Sequence, residues 1–344
     1  MARMNREEIF APDEVAIVHV MNRVVRRCFL LGDDPVTGKN YDHRKDNIEE
    51  LFERFAALFG LDLLVYSVLS NHFHAVLRSR PDVVATWSDT EVARRWMLIC
   101  PLRKRKDSTA QEPTESELNA IRRNPELLAE IRLRLSDISW WMRLVCQRIG
   151  MSANREDNAS GKFWEARFRA VRLLDEESLL ACAAYVDLNP IRAAMAETLE
   201  TSDFTSVQRR IHALVTDTTR DRFLARVQID ERNDPTGPHP SKEHYRCSDK
   251  GFLPMRTVDY LELLDWTARE VVRGKRGHTP AQTPPILQRL SMDVETWTAL
   301  VHNFGQMFYH AAGKPRTIDE CRSRVGQRRF HIPRETRSIL SSVA

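Results

Sequence analysis

Apolar and polar positions along the chain mark out an α+β architecture. The segment from Glu14 to Val24 is dense in β-branched residues and predicts a first strand. After a polar stretch from Gly32 to Arg44, the residues Leu51, Phe52, Phe55, Leu58 and Phe59 recur at helical spacing. Asp46 or Asn47 can cap that helix and Gly60 supplies its stop. Leu61 to Arg78 then reads as two apolar strands joined by a polar turn at Ser70-Asn71. Strand, helix, strand, strand is the opening of a ferredoxin-like layer, an antiparallel sheet with packed helices.

The rest of the pattern is mostly helical. From Asp89 to about Gly150 it is helical and basic, interrupted at Pro101 and by a polar loop from Asp107 to Glu115, and Leu127 to Ile149 is its longest helical run. Lys162 to Leu173 interleaves aromatic and basic residues. That composition suits a nucleic-acid groove lined by Lys162, Trp164, Arg167 and Phe168, or another strand whose aromatics belong to the core. Asp175 caps a further helix with the apolar stripe Leu179, Cys182, Ala183 and Val186, and Pro190 ends or kinks it. Asp234 to Pro240 has the composition of a linker, and a second unit begins near Gly251, with amphipathic helices expected over Val258–Val272 and Val294–His310. The expected division is therefore 1–215, a linker over 216–250, and a helical accessory domain over 251–344 that is a further candidate for DNA binding.

Composition narrows the function classes. A chain of 344 residues with 42% hydrophobic content builds a sizeable core, and no apolar run reaches membrane-spanning length. Met1 to Glu8 lacks the apolar region of a signal peptide, so the expected location is the cytoplasm. Six cysteines without a Cys-x-x-Cys pair argue against a disulfide framework or a structural zinc site. The net charge of +4 is modest, but Arg and Lys are bunched, as in Arg103-Lys104-Arg105-Lys106, Arg122-Arg123 and Arg273-Gly274-Lys275-Arg276. Such bunching permits a polyanionic partner without requiring one.

Two constellations carry candidate chemistry. Strand side chains alternate, so His72 and His74 project from one side while Phe73 points to the other. Such a pair can hold a divalent metal, and it also occurs on merely solvated faces. On the helix capped by Asp175, Tyr185 and Asn189 are four residues apart and share a face beside the apolar stripe. A phenol and an amide oxygen then point the same way.

Three blocks in this order resemble the single-tyrosine HUH transposases, in particular the REP-associated tyrosine transposases. They are Asn71-His72-Phe73-His74, Gly161-Lys162-Phe163-Trp164-Glu165-Ala166-Arg167-Phe168, and Tyr185-Val186-Asp187-Leu188-Asn189-Pro190-Ile191-Arg192-Ala193. The resemblance runs from about Val15 to Ile211 and leaves the region after the linker without a counterpart. It implies an HUH nuclease core in which His72, His74 and Asn189 hold Mg²⁺ or Mn²⁺. Tyr185 would attack a phosphodiester of single-stranded or hairpin DNA, giving a 5′-phosphotyrosine. The protein would act as a monomer or a homodimer. Two other classes share parts of this pattern: a non-catalytic, domesticated DNA-binding regulator, and a metal-dependent hydrolase that uses water and forms no covalent adduct.

Overall fold

The computed structural model describes residues 8–25, 28–106, 109–216, 219–229, 237–273, 284–325 and 330–340. The chain opens with strand β1 (Ile17–Arg23), helix α1 (His43–Leu58), β2 (Leu61–Val68) and β3 (His72–Ser79). Five helices follow: α2 (Pro81–Ala85), α3 (Asp89–Ile99), α4 (Glu115–Arg122), α5 (Pro125–Ser136) and α6 (Ile138–Glu156). Next come β4 (Arg169–Leu173), α7 (Glu176–Asp187), the short α8 (Asn189–Arg192) and α9 (Ser206–Thr216). The remainder is α10 (Thr257–Arg273), α11 (Pro285–Arg289), α12 (Val294–Met307), a two-residue β5 (Ala311–Ala312), α13 (Pro315–Val325) and α14 (Arg334–Leu340).

The sheet runs β2-β3-β1-β4-β5. Its first four strands are antiparallel in the expected ferredoxin-like order, and β5 adds to β4 in parallel. β3 and β1 therefore lie inside the sheet, and every residue of β2 is buried. One face carries the aromatic core: Phe52 of α1 meets Phe73 of β3 at 5.7 Å and Trp141 of α6 at 5.2 Å between ring centroids. The opposite face is covered by α7, with α12 packed on α7 in turn. That second face carries the histidines.

Local chemistry explains where the elements begin. α1 starts at His43, ahead of the expected Asp46 or Asn47; Asp42 before it makes no side-chain capping bond and instead pairs with Lys45 at 2.7 Å. The helical run expected over Leu127–Ile149 is broken at Asp137, whose carboxylate accepts from the Ser139 amide at 2.6 Å and so begins α6 afresh. α4 grows out of the polar loop through a capping box between Thr114 and Glu117. Asp107 in that loop, Asp234 to Thr236, and Gly274 to Arg276 lie outside the described residues.

Where it is described, the stretch expected as a linker lies along the free edge of β2. Leu224 bridges to Leu63, and the Ala225 amide donates to the Leu63 carbonyl at 2.8 Å. Ser248 donates to Asp62, a fully buried carboxylate that also receives Arg78 at 2.9 Å and Arg80 at 3.1 Å. The carboxylate requires these partners, since an unpaired buried charge is strongly destabilising. Composition reads polarity here, whereas the fold uses it. Among the described residues no helix is long and apolar enough to cross a membrane.

Candidate active site

The register of the sheet assembles the site. Met21 faces both His74 and Arg169 across strands, Arg23 faces His72, and Ser67 faces His74. Alternation puts His19, Met21, Arg23, Ser67, His72, His74 and Arg169 on one face. His72 and His74 do share that face, with ring centroids 5.0 Å apart, while Phe73 points into the aromatic core.

A third histidine joins them. His19 lies diagonally across from His74; their rings stack at 5.1 Å, and His19 Nε2 lies 2.9 Å from His74 Nδ1. Burial drives all three imidazoles toward the neutral form. His19 is lowered to about 3, with Arg169 assisting, and His72 to about 4, with Arg23 assisting. His74 is lowered well below its ordinary value by burial, then by His72, His19, Arg192 and Arg23. Neutral imidazoles with available lone pairs are the ligand form.

The hydrogen bonds bear on the tautomers. His72 Nδ1 lies 2.6 Å from Asn71 Oδ1, an acceptor, so that nitrogen carries the proton and Nε2 keeps its lone pair. His74 Nε2 is buried without a partner. If His74 Nδ1 donates to His19, the orphaned Nε2 is a lone pair beside that of His72. The donor set thus fits a divalent cation held by His72 and His74, with His19 as the group behind the ligand. Asn189 is buried, and its amide nitrogen has no partner. No cluster of three or more His, Cys, Asp or Glu with metal-holding geometry exists among the described residues, so the arrangement is a pair rather than a closed cage.

Tyr185 approaches from α7. Asp175 starts that helix by a capping box with Ser178, and its other carboxylate oxygen accepts from the Lys314 amide at 2.6 Å. Near the other end, Asp187 accepts from Ser206 Oγ at 2.5 Å, the Val207 amide at 3.1 Å and Tyr260 Oη at 2.7 Å. Burial raises this carboxyl to about 6, against the pull of those donors. Between these anchors the Tyr185 ring stands edge-on to His74 at 5.5 Å and to His19 at 5.9 Å.

Residues distant in sequence complete the surroundings. Phe304 of α12 lies 5.8 Å from the Tyr185 ring and 6.2 Å from His19. Gly305 follows it, and a β-carbon there would stand 3.0 Å from the Tyr185 hydroxyl. The Arg192 guanidinium sits 4.5 Å over the tyrosine ring and donates to the His302 carbonyl at 2.5 Å. A positioned phenol, neutral imidazoles and guanidinium groups together are equipped to attack an anionic ester.

The expected DNA-contacting block divides. Trp164 is half-buried, donates its indole N–H to the Cys146 carbonyl at 2.8 Å and packs on Phe73 at 5.6 Å, as the packing alternative expects. Lys162 and Arg167 are exposed and Phe168 is half-buried. The residues that pattern reading did not single out are His19, Arg23, Arg192, Phe304 and Gly305. His19 had a weak signal as a histidine within an apolar strand, and Arg192 had only its place seven residues after Tyr185, across the break between α7 and α8. Phe304 and Gly305 had none.

No protein-family model and no curated protein matches the chain. A solved structure of a REP-associated tyrosine transposase bound to a REP hairpin aligns with 64% of this chain and 90% of that one. The sequence identity is 10% and the TM-score 0.35.

Proposed function

We propose that this protein cleaves and rejoins single-stranded DNA through a covalent 5′-phosphotyrosine at Tyr185. The observation that carries the reading is a half-buried tyrosine standing edge-on to buried His74, whose ring lies 5.0 Å from that of half-buried His72, with the tyrosine on a helix and both histidines on one strand. The three motif blocks noted in the sequence support the same chemistry.

His72 and His74, with Asn189 as the third ligand, would hold Mg²⁺ or Mn²⁺. Such an ion supplies Lewis-acid polarisation of a phosphate oxygen. The chain's own residues do the rest. His19 orients the His74 ring, and Phe304 fixes the plane of the Tyr185 ring. Arg192 offers positive charge beside the phenol as it gives up its proton. The Tyr185 oxygen bonds to phosphorus as the bond from phosphorus to the 3′ oxygen breaks, and that oxygen leaves as a hydroxyl after taking a proton. One phosphate ester is exchanged for another, so a later 3′-hydroxyl can reverse the step and join strands without ATP.

The test is incubation of the full chain with labelled single-stranded hairpin DNA and Mn²⁺ or Mg²⁺, followed by denaturing electrophoresis. A protein-linked DNA band, lost in Tyr185→Phe, is expected. Cleavage without a linked band would sink the tyrosine reading in favour of a water nucleophile, and binding without cleavage would favour a regulator.

A further inference from the structure

Buried arginines in this fold are generally answered by carboxylates. Arg78 and Arg80 meet Asp62, Arg44 meets Glu156 and Asp157, Arg172 meets Glu14, and Arg95 meets Glu91. Two arginines beside Tyr185 and the histidine pair break that pattern. Arg192 forms no ion pair among the described residues; its Nη2 donates to the His302 carbonyl, while Nε and Nη1 are buried without a hydrogen-bond partner of good geometry. Burial lowers the Arg192 pKa from its ordinary value, against the opposing pull of the nearby Tyr185 oxygen through charge and a side-chain hydrogen bond. Arg23, directly across from His72, likewise has no ion pair among the described residues and a buried, unpartnered Nε. Arg148 and Arg210 also leave a nitrogen unpartnered and, like Arg192, give another donor to main-chain carbonyls, but those carbonyls, of Ile99, Leu64 and Ala225, belong to other parts of the fold.

The Arg192 and Arg23 side chains are half-buried, yet each holds a guanidinium nitrogen that is withdrawn from water and met by no carboxylate, and two such arginines around one site point to an anion that the site receives. The positive potential of both reaches His74. Guanidinium donors match the non-bridging oxygens of a phosphate, and phosphate contacts fix the register of a nucleic-acid strand. We infer that Arg192 and Arg23 form a clamp that seats one backbone phosphodiester of the DNA strand between Tyr185 and the histidine pair. The inference rests on the proposed function and assigns its substrate-positioning residues.

The experiment measures equilibrium binding of a fluorescent single-stranded thymidine oligonucleotide to the full chain in EDTA across a salt series. Neutralising one phosphate contact changes the slope of log K against log salt by about 0.7 for a single strand. Arg192→Gln and Arg23→Gln are each expected to weaken binding about tenfold and to flatten the slope by about 0.7, as for one lost contact. Arg316→Gln, on the exposed surface of α13, is the control and should leave the slope unchanged. Arg192→Lys keeps the charge and should restore the slope.

An unchanged slope in both glutamine variants overturns the clamp, as does wild-type protein that does not bind the oligonucleotide. If Arg192→Lys loses as much affinity as Arg192→Gln and both unfold at lower temperature, Arg192 serves the fold through His302 and the clamp is overturned. Adduct formation with Mn²⁺ separates the two claims. Arginine-dependent binding without any adduct leaves the clamp standing and removes the phosphotyrosine reading; an adduct with arginine-independent slopes does the reverse.

Discussion

His19 Nε2 and His74 Nδ1 lie 2.9 Å apart across two strands of one sheet, so a single proton between them decides which face of the His74 ring offers a lone pair. When His74 donates, its outer nitrogen is free for a cation. When His19 donates, that nitrogen carries a hydrogen and cannot bind one. Removing the acceptor in His19→Leu is expected to lower Mn²⁺ affinity about 10–100-fold, the usual effect of losing the partner behind a ligand, with His19→Gln recovering part of it. Isothermal titration of the metal measures this directly. Equal affinities for wild type and His19→Leu would refute it.

Gly305 gives the tyrosine hydroxyl its room. With a β-carbon due to fall 3.0 Å from Tyr185 Oη, Gly305→Ala should push the hydroxyl aside while leaving the fold in place. Small displacements of a nucleophile lower rates steeply, so single-turnover adduct formation should drop roughly tenfold or more. The thermal midpoint of the same preparation is the control. A normal rate would mean that Tyr185 moves to reach DNA.

Asp187 holds α7 to two other parts of the chain. Asp187→Ala removes the acceptor shared by Ser206, the Val207 amide and Tyr260, leaving those donors buried. The expected destabilisation is about 3 kcal/mol, read from the denaturant midpoint. A loss below about 0.5 kcal/mol, the range of surface changes, would show that Asp187 is dispensable.

The metal-free protein should lose stability as pH falls below the unfolded histidine value of about 6.5. His19 and His72, with folded values of about 3 and about 4, and His74, also lowered, stay neutral while the unfolded chain takes up protons. Each such imidazole is worth about 1.4 kcal/mol per pH unit until its folded value is reached. Asp187, raised to about 6, works the other way: its folded form binds the extra proton between about 4 and 6. Three histidines outweigh one carboxyl, so the thermal midpoint in EDTA should rise from pH 5 to pH 7. His19→Gln should make that rise shallower, and an unchanged rise would contradict the burial-driven shifts.

Local signals were legible in the sequence and long-range ones were not. Period-2 and helical patterning gave β1, α1, β2 and β3 in order, and Asp175 marked the start of α7. His72 and His74 could be paired because strand alternation places side chains without reference to distant chain, whereas Tyr185 is joined to them only through the resemblance of the three sequence blocks. Trp164 could not be resolved, because an aromatic beside basic residues looks alike whether it stacks on bases or fills a core; the indole bond to the Cys146 carbonyl gives it a packing role. Phe304 lies far along the chain from Tyr185, and no periodicity reaches across that interval. The polar stretch near Ser248 was opaque for a related reason, since its partner Asp62 lies in an early strand.

The placement of Phe304 against Tyr185 also has a timetable. The ring that walls in the tyrosine is encoded 230 residues after His74. At about 5–20 residues per second, on the order of 10–50 s of translation separates the two. A nascent chain therefore carries His72, His74 and Tyr185 well before it carries the ring that packs against the tyrosine, and this arrangement is complete only once Phe304 has been made.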